Sequence, residues 1–168
     1  TKKEESGGGV IFDLGIHILD LALWLLAYPE ISSVSSQNFH HYTKSVEDTS
    51  ISCIKCNNSA VINMEVSWSL PVEKDHFFLE VYGTKGSFSI NPFRIYKKVE
   101  NDYINLTPTQ VDNPTVLLKK SYLNELKSFI GAINGLNPVF SPGEEAMQRM
   151  KIIEAMYESA EKKHEIKL

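Results

Sequence analysis

The sequence predicts an α+β fold: a large, mostly antiparallel open sheet with helices packed on one face. Three observations carry this expectation. A greasy helical pattern stands near the start, a long run of short strand-like segments follows, and two further helical patterns close the chain. At 168 residues the chain is long enough for one domain with a real core.

The elements follow in order. After Gly9 the helical pattern runs from about Asp13 to Ala27 and stops before Pro29. "ISSVSSQNFHHY" and "TSISCIKC" are β-rich, and "NNSA" reads as a turn. In "AVINMEVSWSL", Ala60, Ile62, Met64, Val66 and Trp68 alternate with polar positions. "HFFLEVYG" and "GSFSI" flank the turn "GTKG", and "FRIYKKV" and "DYINL" form a hairpin around Glu100 and Asn101. About seven short strands joined by tight turns imply antiparallel pairing. The stretch "TPTQVDNPT" is a loop. Tyr122, Leu126, Phe129, Ile130 and Ile133 then recur at helical spacing. The last helix begins with Ser141 at or near its N-cap, Pro142 in the first turn and Glu144 and Glu145 close behind. "EKKHEIKL" is a solvated helix end with a short extended tail.

Composition excludes several classes. The chain is 42% apolar and 23% charged, ordinary for a globular protein, and its formal net charge of −4 comes with no basic stripe for nucleic acid. The most apolar run is interrupted by Asp20 and is too short for a bilayer span. Lys2 and Lys3 ahead of Val10–Leu26 superficially suggest a signal peptide. Three glycines, an acidic pair, internal Asp13 and Asp20 and the lack of a small-residue cleavage site argue against it, so a cytoplasmic setting is expected. Cys53 and Cys56 form a CxxC within a strand-like stretch, where residues three apart face opposite ways. That suits neither chelation nor a disulfide, and no further ligands at matching spacing suggest zinc. The run Gly7–Gly9 precedes a helix without a strand before it, so a phosphate-binding loop is the weaker reading. A place where backbone packs closely is the stronger one.

The first helix poses the chemical question. Asp13, His17, Asp20 and Trp24 stand at i, i+4, i+7 and i+11 and line one stripe of a helix that is otherwise apolar almost all round. Such a helix is expected to be buried, and buried ionisable groups are costly unless paired. An Asp13–His17 pair, in which the carboxylate orients the imidazole, is one solution. From the residues alone three readings remain: a solvated or satisfied stripe, the wall of an active site, or a metal site. The metal reading is the weakest, because ligands on one helix form a line rather than a cap. His40 and His41 in a strand and His76 at the start of another read as surface or satisfied histidines. Trp68 reads as core or interface, and Lys85 as a turn lysine.

The stretch "GGGVIFDLGIHILDLALWLLAYPE" closely resembles the signature of the glucose–fructose oxidoreductase / inositol dehydrogenase / MocA-type (Gfo/Idh/MocA) family. That signature is a Gly-Gly pair, then Asp-x3-His-x2-Asp, then an apolar helix ending in a Gly-Pro-like turn. Here Ala27-Tyr28-Pro29 stands where the family often has Gly-x-Pro. "VEDTSISCIKCNNSAVINMEVSWSL", "LEVYGTKGSFSI" and the segment that begins "YLNELKSF" at Tyr122 and runs to the end are similar to later family segments, in the same order.

The resemblance implies that residues 1–168 form the C-terminal substrate-binding and oligomerisation domain, of glyceraldehyde-3-phosphate-dehydrogenase-like architecture, without the N-terminal Rossmann domain. Thr1 to Ser6 would lie in the loop before the motif. It implies an NAD(P)-dependent oxidoreductase that moves a hydride to or from a sugar, polyol or related hydroxy compound. His17 and Asp13 would be catalytic and Asp20 supporting, with no metal. NAD or NADP would be held mainly by the other domain, together with a lysine that completes the acid–base set, so this chain alone would be inactive. A homo-oligomer, dimer or tetramer, through the open sheet face is implied, with no nucleic-acid or membrane partner. A non-catalytic binding or assembly domain and an NAD-dependent glycoside hydrolase relative are the alternatives.

Overall fold

The computed structural model describes residues 7–110 and 112–168. The stretch Thr1 to Ser6, expected in a loop, lies outside the described residues. The chain divides into two compact units, Thr1–Pro71 with Ser141–Leu168, and Val72–Phe140. The strands correspondingly form two four-stranded antiparallel sheets rather than one large sheet.

In the first unit the helix starts earlier than its pattern suggests. Ile11–Gly15 is a π-helical turn that continues as α1, Ile16–Leu25. The wide turn brings Gly15 against Met64 and Val66, where a Cβ would sit 3.6 Å from either side chain. The C-terminus of α1 is a Schellman motif: Tyr28 N–H donates to Leu23 C=O at 2.7 Å and Ala27 N–H to Trp24 C=O at 3.0 Å. The residue this motif needs in left-handed conformation is Ala27, at φ +58°.

Four strands make the first sheet: β1 (Ile31–Phe39), β2 (Thr49–Cys56), β3 (Val61–Ser67) and, beyond the last helix, β8 (Ile166–Lys167). Their order is β3-β2-β1-β8. The short tail β8 pairs Ser33 with Lys167 and Val34 with Ile166, covering part of the β1 edge. His40 and His41, expected in the first strand, fall beyond its end. The chain leaves the sheet there because the Asp48 carboxylate takes the backbone N–H groups of Tyr42 and Thr43.

One face of this sheet is covered by the π turn, α1 and the last helix, α3 (Gly143–Lys162). Val34, Ile54, Ile62, Met64 and Val66 from the sheet meet Ile11, Leu19 and Leu23 from the first helix and Ile152, Ile153 and Met156 from α3. Ile62, Met64 and Val66, the apolar side of the alternation expected for this strand, therefore point into this core. The opposite face is mixed, with exposed Ile51 and Val61 among Lys55, Asn63 and Glu65. Ser36, Ser50 and Ser52 also point inward, and their hydroxyls satisfy one another, with Ser36–Ser52 at 2.9 Å. Cys53 and Cys56 are free thiols; burial pushes the Cys56 thiol up. Pro142, not Ser141, is the residue flanking α3, and Glu144 and Glu145 lie in its first turn.

The second unit is a four-stranded meander and one helix. Its strands are β4 (Leu79–Gly83), β5 (Gly86–Ile90), β6 (Arg94–Val99) and β7 (Asp102–Asn105), in that order. Gly83 pairs with Gly86 across Thr84-Lys85, so Lys85 sits in the hairpin turn. The register puts Leu79, Val81, Phe88, Ile90, Ile95 and Ile104 on one apolar face. The helix α2 (Pro114–Ile133) is capped by Asn113, whose side chain accepts from Val116 N–H at 3.0 Å. Tyr122, Leu126, Phe129, Ile130 and Ile133 form the expected stripe, yet all are exposed. The helices that cover a sheet are thus α1 and α3, while α2 leaves its stripe open. Among the described residues, no helix is long and apolar enough to cross a membrane.

A β-carbon in left-handed conformation costs about 1 kcal/mol relative to glycine. Ala27→Gly should therefore raise the unfolding free energy by roughly that amount, read as a higher urea midpoint at unchanged slope. A lower midpoint would show that the cap is not limiting.

Candidate active site

The site is built on the helix start. Three glycines expose backbone N–H groups there, and the orphan donors of a helix N-terminus attract an anion. The anion is a side chain of this chain. Buried Glu47 places Oε1 3.1 Å from both Gly9 N and Ile11 N, and Tyr157 donates its hydroxyl to the same oxygen at 2.7 Å. Glu47 C=O accepts from Val10 N–H at 3.0 Å. Gly9 must lack a side chain, because a Cβ would stand 2.0 Å from the Glu47 carbonyl oxygen. Tyr157 is stacked on Phe12 at 6.0 Å, and burial, then Glu47, raises its phenol well above the usual range, so it remains a donor.

The next residue does a second job. Burial alone would raise the Asp48 carboxyl. The N–H groups of Tyr42, Thr43 and His41 and the Thr43 hydroxyl outweigh it and hold Asp48 far below the usual carboxylate range. Its carbonyl accepts from Trp68 N–H at 2.9 Å, fixing the backbone just past β3.

The polar stripe emerges between these anchors. Asp13 and His17 are exposed, contrary to the buried stripe expected from an all-apolar helix; the apolar sides of the helix suffice to fill the core. Trp68 Nε1–H donates to Asp13 Oδ2 at 3.0 Å. The carboxylate expected to orient His17 thus has the indole as its hydrogen-bond donor. Asp20 is half-buried and held by a different set of partners. Arg149 Nη1 donates to Asp20 Oδ1 at 2.5 Å and to the Tyr28 hydroxyl at 2.8 Å, and Tyr28 donates to the same Asp20 oxygen at 2.5 Å. Burial, then Asp20, pushes the Tyr28 phenol well up.

This arrangement bears on two sequence-level alternatives. The phosphate-loop reading of Gly7–Gly9 is overturned, since the donors of Gly9 and Ile11 are engaged by Glu47. Among the described residues, no group of three or more His, Cys, Asp or Glu is placed to hold a metal ion. His41 stacks on Phe39 at 5.6 Å, and His76 is exposed ahead of β4. Sequence reasoning missed Glu47, Tyr157, Arg149 and the indole contact. The available signal for Glu47 was chemical: a glycine-rich helix start needs an acceptor, and "VED" supplies two adjacent carboxylates.

A family model described as "Oxidoreductase family, C-terminal alpha/beta domain" matches residues 1–168. The chain belongs to the Gfo/Idh/MocA oxidoreductase family. It is 25% identical over 177 residues to D-glucoside 3-dehydrogenase of Escherichia coli (strain K12), covering 96% of this chain and 49% of that protein. The fold is shared with the WlbA dehydrogenase of Bordetella pertussis, solved with NADH and UDP-GlcNAcA: TM-score 0.74, 19% identity, 96% of this chain and 48% of that one. It is also shared with an oxidoreductase domain protein of Kribbella flavida: TM-score 0.82, 16% identity, 98% and 52%. The chain spans about half the length of the curated relative it matches. Within this Gfo/Idh/MocA domain, Glu47 of the distant "VED" segment caps the start of the helix that carries the motif.

Asp48 gives the domain an acid-sensitive anchor. Its folded pKa lies below the unfolded value of about 3.9, so the stability it supplies is present above that pH and is lost as pH falls toward the folded value. Asp48→Asn should cost about 2–4 kcal/mol at pH 7, with the gap to wild type narrowing below about pH 4. Urea midpoints measured from neutral pH down to about pH 3 check this; a gap independent of pH would count against it.

Proposed function

We propose that this chain is the substrate-side domain of an NAD(P)-dependent oxidoreductase acting on a sugar, polyol or related hydroxy compound, with His17 and Asp13 as the reacting pair. The observation that supports the reading is the placement of two exposed ionisable side chains, one helical turn apart, on a helix whose start is fixed by a buried carboxylate. Structural purposes alone do not require an aspartate and a histidine there.

The helix start that would most readily cradle a pyrophosphate is filled by Glu47, so the described residues do not offer that place to a dinucleotide, and NAD or NADP is assigned to a part of the whole protein beyond this chain. A nicotinamide cofactor supplies the hydride acceptor in such a reaction. What this chain contributes is the group that takes up and returns the proton. His17 accepts the proton of the substrate hydroxyl as the carbonyl forms, and returns it in the reverse direction. Asp13 sets the geometry of that exchange. Asp20, held by Arg149 and Tyr28, keeps the C-terminal half of the helix in place and takes no part in the chemistry.

In the whole protein, His17→Ala should lower kcat by roughly 10²–10⁴-fold while leaving cofactor affinity nearly unchanged. Asp13→Asn should lower it too, and because both act on one proton the two losses should not multiply. Steady-state kinetics of both single variants and the double variant decide; turnover at the wild-type level in both singles rejects the assignment.

The reading includes a homo-oligomer, dimer or tetramer. The open stripe of α2 and the partly exposed apolar face of the second sheet supply surface of the kind that becomes an interface. Light scattering of the whole protein should give a mass at least twice that of one full-length subunit, and a monomer across a wide concentration range would contradict it.

A further inference from the structure

The indole contact has a role that packing does not explain. Trp68 stands one residue beyond β3 and is 40% exposed, so it is not a core aromatic. Its one polar side-chain atom, Nε1–H, donates to Asp13 Oδ2 at 3.0 Å. Both partners are fixed by neighbouring residues of one dipeptide. Glu47 holds Gly9, Val10 and Ile11, and so the turn carrying Asp13; Asp48 holds the Trp68 backbone N–H. The backbones that carry the carboxylate and the indole are therefore each anchored by hydrogen bonds to adjacent residues.

We propose that Trp68 is a positioning residue: its indole N–H locks the Asp13 carboxylate by one oxygen and leaves Oδ1 as the oxygen that meets His17 or the substrate hydroxyl. The inference rests on the reading of Asp13 and His17 as the reacting pair. A carboxylate on an exposed helix face otherwise rotates freely about its side-chain bonds, and the hydrogen bond to a charged acceptor is among the stronger single restraints available. Fixing it in advance removes a reorientation from the reaction. The aromatic ring is an appropriate carrier, because an indole brings its donor on a stiff, planar frame with only two rotatable bonds.

Two measurements on the whole protein test this. Labelling with ¹⁵N-tryptophan gives one indole signal per tryptophan, and the signal missing from Trp68→Phe is that of Trp68. Asp13→Ala should move this signal and speed its exchange with solvent by roughly tenfold or more. The second is a cycle of Trp68→Phe, Asp13→Ala and the double variant, read as kcat and KM with NAD and NADP on glucose, methyl glucoside and myo-inositol. Trp68→Phe keeps an aromatic ring and removes the donor; it should lower kcat roughly 10- to 100-fold, with KM within about threefold, and have no further effect once Asp13 is alanine. An indole signal indifferent to Asp13→Ala overturns the contact. A moved signal with wild-type kcat in Trp68→Phe, or losses that multiply in the double variant, overturns the positioning role. A wild-type protein inactive with every substrate overturns the catalytic reading beneath it, while the indole signal still decides the contact.

Discussion

A single buried carboxylate at a glycine-rich helix start organises this domain. Glu47 comes from the loop leading into β2, its three donors come from the first helix and from α3, and it thereby joins three elements far apart in sequence at one oxygen. Helix N-termini carry partial positive charge and unsatisfied donors, and an internal acceptor resolves both without water. The geometry is unforgiving. The loop backbone comes so close to Gly9 that any side chain there collides with the Glu47 carbonyl. The glycine at that position is a consequence of the cap, and the position of Asp13, four residues later, is a consequence of both.

The first helix is held at its other half by a different chemistry. Arg149, itself largely buried on α3, pairs with Asp20 and Tyr28. Tyr157 and Arg149 lie about two helical turns apart on α3, so the same helix grips the first one near both ends. Between these grips the core is filled from the apolar sides, and the stripe carrying Asp13 and His17 is released to solvent. Buried charge is tolerated here because each such group is saturated: Asp48 alone collects several backbone donors and hydroxyls.

Much of this was legible in the sequence, for identifiable reasons. The alternation at Ile62, Met64 and Val66 marks β3, and "TSISCIKC" coincides with β2 at both ends, since its turn signals are strong. The hairpins at Thr84-Lys85 and Glu100-Asn101 followed from short-range turn chemistry. What escaped was long-range. Periodicity tells which residues share a face but not which partner covers it, so the direction of Ile62, Met64 and Val66 and the exposure of the α2 stripe were open. The π turn is invisible to a 3.6-residue pattern. In the site, the stripe itself could be read off one helix, and Asp13, His17 and Asp20 stand on it as expected. Glu47 lies 34 residues from Asp13 and Trp68 lies 55, and nothing local marks those pairings. The Ala27 departure was visible but its meaning was not; only the backbone shows that it occupies the left-handed position of the cap.

The chain holds two tryptophans: Trp24, about three helical turns beyond Asp13 on the first helix, and Trp68 against Asp13 itself. The ultraviolet emission of the chain therefore originates from the first helix and from the indole that donates to Asp13. Tyrosines elsewhere absorb, but tryptophan dominates the signal. A small molecule that reaches Asp13 comes up against the Trp68 indole, so the domain carries a native optical reporter for compounds that bind at Asp13, and these can be screened by quenching without any label.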